Sequence, residues 1–130
     1  MSAIKKHPRV PALKRVYDPT GSSDGRRFLV ERLWPRGIRK DKLEMEAWVR
    51  DVAPSTELRR WFGHDPRKWA EFQRRYRTEL EANPQAWTPL ATAAREGAIT
   101  LLFSSRDTEH NNAVVLRDFL VEKVSPREKR

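Results

Sequence analysis

The sequence predicts a small single-domain α/β protein whose sheet is at least partly parallel and covered by helices. Three observations lead there. The chain has 130 residues, the length of one ordinary domain. Three short runs with apolar centres, Leu13 to Tyr17, Phe28 to Val30 and Ile99 to Phe103, have the composition of buried strands. The long stretch between the second and third runs carries several helix starts. Those two strands are therefore expected to be joined by a right-handed helical crossover and to run parallel.

The elements follow in order. Residues 1–12, with Pro8 and Pro11, read as a basic flexible lead-in, residues 13–122 as the domain, and residues 123–130 as a basic tail. Asp18-Pro19 ends the first strand, and Gly21 to Gly25 is a turn-rich loop. Pro35 and Gly37 close the second strand. Asp41 is expected to cap a helix that carries Leu43, Ala47 and Trp48 and stops at Pro54. Ser55 or Thr56 caps a short helix through Trp61 and Phe62, with Gly63 as its exit. Asp65-Pro66 is a stronger start, a capping carboxylate followed by proline where the missing N–H costs nothing. The helix behind it aligns Trp69, Phe72, Tyr76 and Leu80 on one face. Thr88-Pro89 repeats that start, and Gly97 is expected to end the helix in a left-handed conformation. Asn111 or Asn112 opens the last helix, with Val115, Leu116, Phe119 and Leu120 inward. The expected order is β-β-α-α-α-α-β-α.

Composition excludes several function classes. The chain has no cysteine, which removes disulfides, thiolate nucleophiles, cysteine zinc sites and iron–sulfur clusters, and fits a reducing cytoplasmic location. No apolar run is long enough to span a bilayer, so no membrane partner is expected. The net charge is +9, but residues 1–15 supply +5 of it and residues 123–130 supply +3. Residues 16–122 carry 18 basic against 17 acidic side chains, a body near neutrality. Nucleic acid is thus a candidate partner chiefly through the basic tails. One internal stretch departs from neutrality: residues 26–42 hold seven Lys/Arg against Glu31 and Asp41. No motif implies a cofactor, and none sets an oligomeric state.

In open parallel sheets, ligands sit beyond the carboxyl ends of the strands. That rule selects Glu31 to Gly37 after the second strand and Ser104 to Asn112 after the third. Along the chain the strings RVYDP, LVERLWPRG, APSTELRRWFGHDPRKWAEF and LLFSSRDTEHNNAVVL occur in order. The chain resembles the YeaO-like branch of the domain-of-unknown-function 488 family over residues 13–121. The resemblance implies a fold and a pocket, with no assigned reaction. Wider members carry Asp-Val-Arg-x-x-Pro at an early strand end and Cys-His-Arg at a later helix start. Val30-Glu31-Arg32-Leu33-Trp34-Pro35 looks like the first, with Glu31 taken for its Asp. Glu109-His110-Asn111 falls at the second but lacks its cysteine and its arginine, which puts thiol chemistry in doubt.

Arg32 and Arg36 flank Trp34-Pro35 at a strand end, where a guanidinium fork suits an anionic small molecule. The structural alternative has Arg32 pairing with an acid such as Asp107 and tying two loops together. Trp34 is a candidate wall, and Asn111, at the start of the last helix, joins Arg32, Trp34 and Arg36 as a ligand-binding candidate. His110 with Asp107 is the best acid–base pair, placed at a helix start that would keep the imidazole neutral. Its bland alternative is a histidine beside a helix cap. Ser104 and Ser105 follow a strand without a nucleophile-elbow pattern. His64 and His110 have no metal-site spacing, so no metal is expected. Trp48, Trp61, Trp69 and Phe72 read as core. Arg59-Arg60 and Arg74, Arg75 and Arg77 read as solvated helix faces, balanced by Glu57, Glu71 and Glu79. Two functions remain open: an anionic or phosphate-bearing small molecule at the strand ends, or a nucleic acid or ribonucleoprotein held by the tails and residues 36–42.

Overall fold

A computed structural model of the chain describes residues 10–124. Four strands, β1 (Ala12–Arg15), β2 (Arg26–Leu29), β3 (Ala47–Trp48) and β4 (Ile99–Phe103), form one parallel sheet in the order β1-β4-β2-β3. β4 is flanked on both edges, by Leu13 opposite Leu101 and by Phe28 opposite the same residue. With both faces also covered, all five of its residues are buried, which is why it reads as an unbroken apolar run. The expected parallel pairing of the Phe28 and Ile99 strands is what the sheet contains. Four helices, α1 (Thr56–Phe62), α2 (Trp69–Glu81), α3 (Pro84–Glu96) and α4 (Asn112–Val124), complete a single α/β domain.

The pleat divides the sheet's side chains between two layers. Phe28, Val30, Ile99, Leu101 and Phe103 pack with the helices in the main core. Leu29 and Leu102, with Val16, turn to the other side and are covered by Trp34, Ile38, Leu43, Met45 and Trp48. That second layer is built from loop residues and the short β3. At the amino end of β2, the buried Arg27 donates to the buried Asp24 at 2.5 Å and to the Glu44 carbonyl at 2.7 Å. Lys14 also reaches Asp24, at 2.8 Å, and Thr100 donates to the Asp24 carbonyl at 2.7 Å. Gly25 beside them has φ +66°, and a Cβ there would lie 2.2 Å from the Ala98 carbonyl oxygen, so the turn into β2 requires glycine.

Several expected boundaries hold. Ser55 caps α1 through a 3.1 Å bond from the Leu58 N–H, and Gly63 leaves it at φ 54°. Asp65 accepts from the Arg67 N–H at the start of a 3-10 turn, Pro66–Lys68, that leads into α2. The Asn111 side-chain oxygen accepts from the Val114 N–H and caps α4. Others are corrected. Asp41 caps no helix: residues 40–46 form turns, bends and irregular backbone, and Ala47 and Trp48 form β3. The Glu46 and Val49 N–H groups donate to the Arg27 and Leu29 carbonyls, so the β2 edge claims a segment whose spacing alone suited a helix. Thr88-Pro89 does not open α3, which starts five residues earlier at Pro84 and holds Pro89 inside it. Trp87 secures the extra turn, donating to the Leu80 carbonyl and setting its ring against Phe119. Gly97 has φ 169°, extended rather than left-handed, and leads directly into β4.

Among the described residues no helix is long and apolar enough to cross a membrane. The expectations for the lead-in and tail fall largely on residues 1–9 and 125–130, outside the described residues.

Candidate functional site

Beyond the carboxyl ends of β2 and β4 lies a cleft of about 650 Å³. Its walls come from Glu31 to Arg36 after β2, Ser104 to Asp107 after β4, and Asn111 and Asn112 at the start of α4. Ala53 and Pro54, Arg59 and Phe62 of α1, Phe72 of α2 and His64 close the remaining sides. This is where the strand-end rule places a site.

The rim is tied by hydrogen bonds that join segments far apart in sequence. Both oxygens of Glu31 are engaged by Ser104, one by the hydroxyl at 2.6 Å and the other by the backbone N–H at 3.2 Å. Asn112 donates to the Val30 carbonyl at 2.7 Å and anchors α4 to the β2 end. Arg32 donates from Nε to the Pro54 carbonyl and from Nη2 to the Ala53 carbonyl, both at 3.0 Å. The expected alternative partner, Asp107, is therefore not what Arg32 holds. Arg32 ties the β2 end to the segment before α1, and carbonyls serve because that turn presents two acceptors side by side.

Asp107 lines the cleft, but its carboxylate faces its own loop. It accepts from the Glu109 and His110 N–H groups at 3.0 Å and meets His110 Nδ1 at 2.9 Å. The Glu109 N–H, then the His110 ring, hold its carboxyl below the ordinary range. His110 is not part of the cleft wall; its ring stands edge-on to Trp69 at 5.2 Å. The candidate acid–base pair exists as a contact, with only its acid on the cleft. Asn111 lines the cleft while both ends of its amide are used, one as the α4 cap and one donating to the Asp107 carbonyl at 2.9 Å. Trp34 forms one side, held by its Nε1 donating to the Ile38 carbonyl at 2.6 Å. His64, which follows Gly63, also stands in a left-handed conformation, φ 57°, on the cleft wall. Among the described residues no group of three or more His, Asp or Glu is placed to hold a metal ion.

The cleft's charge is what distinguishes it. Arg36, Arg59 and Arg106 line it, and among the described residues no hydrogen bond or ion pair engages any of their guanidinium groups. Arg59 is half-buried, and its Nε is buried without an acceptor from the protein. A buried donor in that condition costs about 1–3 kcal/mol, more when it is charged. With Arg32, four guanidiniums face two carboxylates, and Glu31 and Asp107 are both engaged by neighbours other than these arginines. Arg59 is the residue that sequence reasoning missed, having assigned it to a solvated face. The signal was its spacing: Arg59 and Phe62, three apart, share the side of α1 that meets the cleft. Arg60, the next residue, is exposed as expected.

The family model described as the inactive DUF488-N3 subclade matches residues 11–130. The chain is 46% identical over 107 residues to the Escherichia coli (strain K12) uncharacterized protein YeaO, covering 82% of this chain and 93% of that one. It is 40% identical over 106 residues to the uncharacterized protein Rv3073c of Mycobacterium tuberculosis (strain H37Rv), covering 82% and 89%. The same figures hold for the uncharacterized protein Mb3100c of Mycobacterium bovis. No solved structure matches. By the match across nearly its whole length, the chain belongs to the DUF488 family, in the DUF488-N3 subclade described as inactive.

Proposed function

We propose that the chain is a non-catalytic binding protein whose cleft receives the phosphate of an anionic small molecule. The observation that carries this reading is the set of three cleft guanidiniums, Arg36, Arg59 and Arg106, left without an acidic partner among the described residues. A protein gains nothing in stability from gathering unpaired cations, one of them half-buried. A phosphate supplies several acceptor oxygens and the matching charge, and guanidinium forks bind such oxygens in pairs. The volume, about 650 Å³, lies in the range of small-molecule sites and leaves room for an organic body beside the phosphate. Phe62, Phe72 and Pro35 offer that body an apolar wall.

Binding without catalysis suits a lining whose histidine, His64, has no acid bonded to it among the described residues. There is no thiol, His110 lies off the cleft, and Ser104 is committed to Glu31. The subclade's description as inactive fits the same reading.

Thermal unfolding with inorganic phosphate tests the proposal. At a hundred times the dissociation constant, phosphate stabilises the wild type by about 2.7 kcal/mol. Arg59→Met and Arg106→Ala each remove most of that protection. A wild type unprotected by phosphate, or variants protected as well as the wild type, sinks the reading.

A further inference from the structure

Outside the cleft, cations and aromatic rings alternate along one surface that starts at its rim. Arg15 donates to the Ser104 and Ser105 carbonyls on the cleft wall, and its guanidinium lies 4.7 Å from the Tyr17 ring centroid. The Tyr17 hydroxyl donates to the Arg36 carbonyl at 2.8 Å. Two residues before Arg36, Trp34 lines the cleft and stands edge-on to Trp48 at 5.3 Å. Lys40 sits over both indoles, 5.8 Å from Trp34 and 5.6 Å from Trp48, and Arg50 covers Trp48 at 4.7 Å. Lys40 and Arg50 are exposed and pair with no carboxylate among the described residues. On the helical side cations also lie over rings, Arg75 over Trp61 at 4.3 Å, Arg77 over Phe119 at 5.4 Å and Lys123 over Phe119 at 5.0 Å, but there acids hold them. Arg74 and Arg75 pair with Glu71, Arg77 with Glu122, and Lys123 with Glu81.

We propose that this strip, continuous with the cleft, is a docking surface for single-stranded nucleic acid. The proposal rests on the cleft reading, because one phosphate of the strand occupies the cleft. Unpaired cations interleaved with aromatic rings suit a strand whose phosphodiesters and unstacked bases are both accessible. A duplex keeps its bases stacked inside and cannot use the rings. The charge is complementary to a polyanion, and the spacing of cations between rings distinguishes the strip from a plain basic patch.

Fluorescence anisotropy of the full chain with an oligothymidylate of roughly 12 nucleotides, a length within the range such grooves hold, tests it at about 0.15 M salt. The double variant Lys40→Ala/Arg50→Ala is expected to bind about tenfold more weakly, and its salt slope to fall by about 1.4, near 0.7 for each phosphate contact removed. The control Arg74→Ala/Arg75→Ala removes the same charge from α2 and is expected to bind like the wild type. Equal weakening by the control, wild-type affinity in the Lys40/Arg50 variant, or a duplex bound as tightly as the strand overturns the proposal. Protection by inorganic phosphate separates the two readings. Phosphate protection without oligonucleotide binding overturns the strand alone and leaves the cleft reading intact. Oligonucleotide binding without phosphate protection overturns the cleft reading and the shared-phosphate proposal with it.

Discussion

The two ends of the sheet treat arginine in opposite ways. At the amino end, Arg27 is buried against Asp24, with Lys14 and the Glu44 carbonyl completing the cluster. At the carboxyl end, Arg36, Arg59 and Arg106 surround a cleft with no acid among the described residues engaging them. The same side chain is matched in one place and unmatched in the other, within one small domain. A buried charge needs its partner inside the protein, because desolvation is not otherwise offset. A cleft-side cation can take its partner from outside, and then the protein's own charge balance looks incomplete.

The largest effect should come from breaking the amino end. Asp24→Ala leaves Arg27 buried without its carboxylate and is expected to cost about 3–5 kcal/mol in denaturant unfolding. A loss below about 1 kcal/mol would mean that the two ends do not differ in kind.

The same cluster sets an acid limit. Lys14, then the Gly21 N–H, lowers the Asp24 carboxyl to about 2 from an ordinary value of 3.8. A lowered folded-state value contributes stability that is fully present above about 4 and is lost as the pH falls through about 2. Asp24→Asn should flatten the stability profile in that window, and an unchanged acid limb in the variant would contradict the assignment.

Arg32 tests the boundary between the two behaviours, since it lines the cleft yet bonds two carbonyls. Arg32→Ala is expected to cost about 2–3 kcal/mol, in line with the loss of charge-assisted hydrogen bonds. Phosphate should still protect the folded variant, through the three arginines that remain. Full loss of protection with no loss of stability would make Arg32 a ligand-binding residue and not a tie.

The smallest effect on stability belongs to the carboxyl end. Arg36→Ala and Arg106→Ala should leave unfolding within about 0.5 kcal/mol of the wild type when no anion is present. A larger destabilisation would reveal a structural role for these side chains and weaken the contrast between the ends.

Much of this frame was legible from local chemistry. The strand-end segments, Glu31 to Gly37 and Ser104 to Asn112, both line the cleft in large part. Arg32, Trp34, Arg36, Asp107 and Asn111 all lie on it. What local chemistry could not state was the use of each group. Arg32 turned to carbonyls of Ala53 and Pro54, some twenty residues away. His110 turned toward Trp69, and Arg59 turned inward from a helix whose neighbouring residue, Arg60, faces water.

Near neighbours along the chain fix the local elements. Ile99 to Phe103 is apolar enough to be a strand only in a sheet's centre. Ser55, Asp65 and Asn111 carry side-chain acceptors that reach N–H groups two or three residues on. Tertiary structure decided whatever depends on a partner distant along the chain. Residues 47–48 became a strand because the β2 edge offered unpaired carbonyls, and Pro89 stayed inside α3 because Trp87 packs on Phe119. The cleft belongs to this second class. Its charge arises because β2, β4, α1 and α4 converge at one end of the sheet, bringing together arginines that are far apart in sequence.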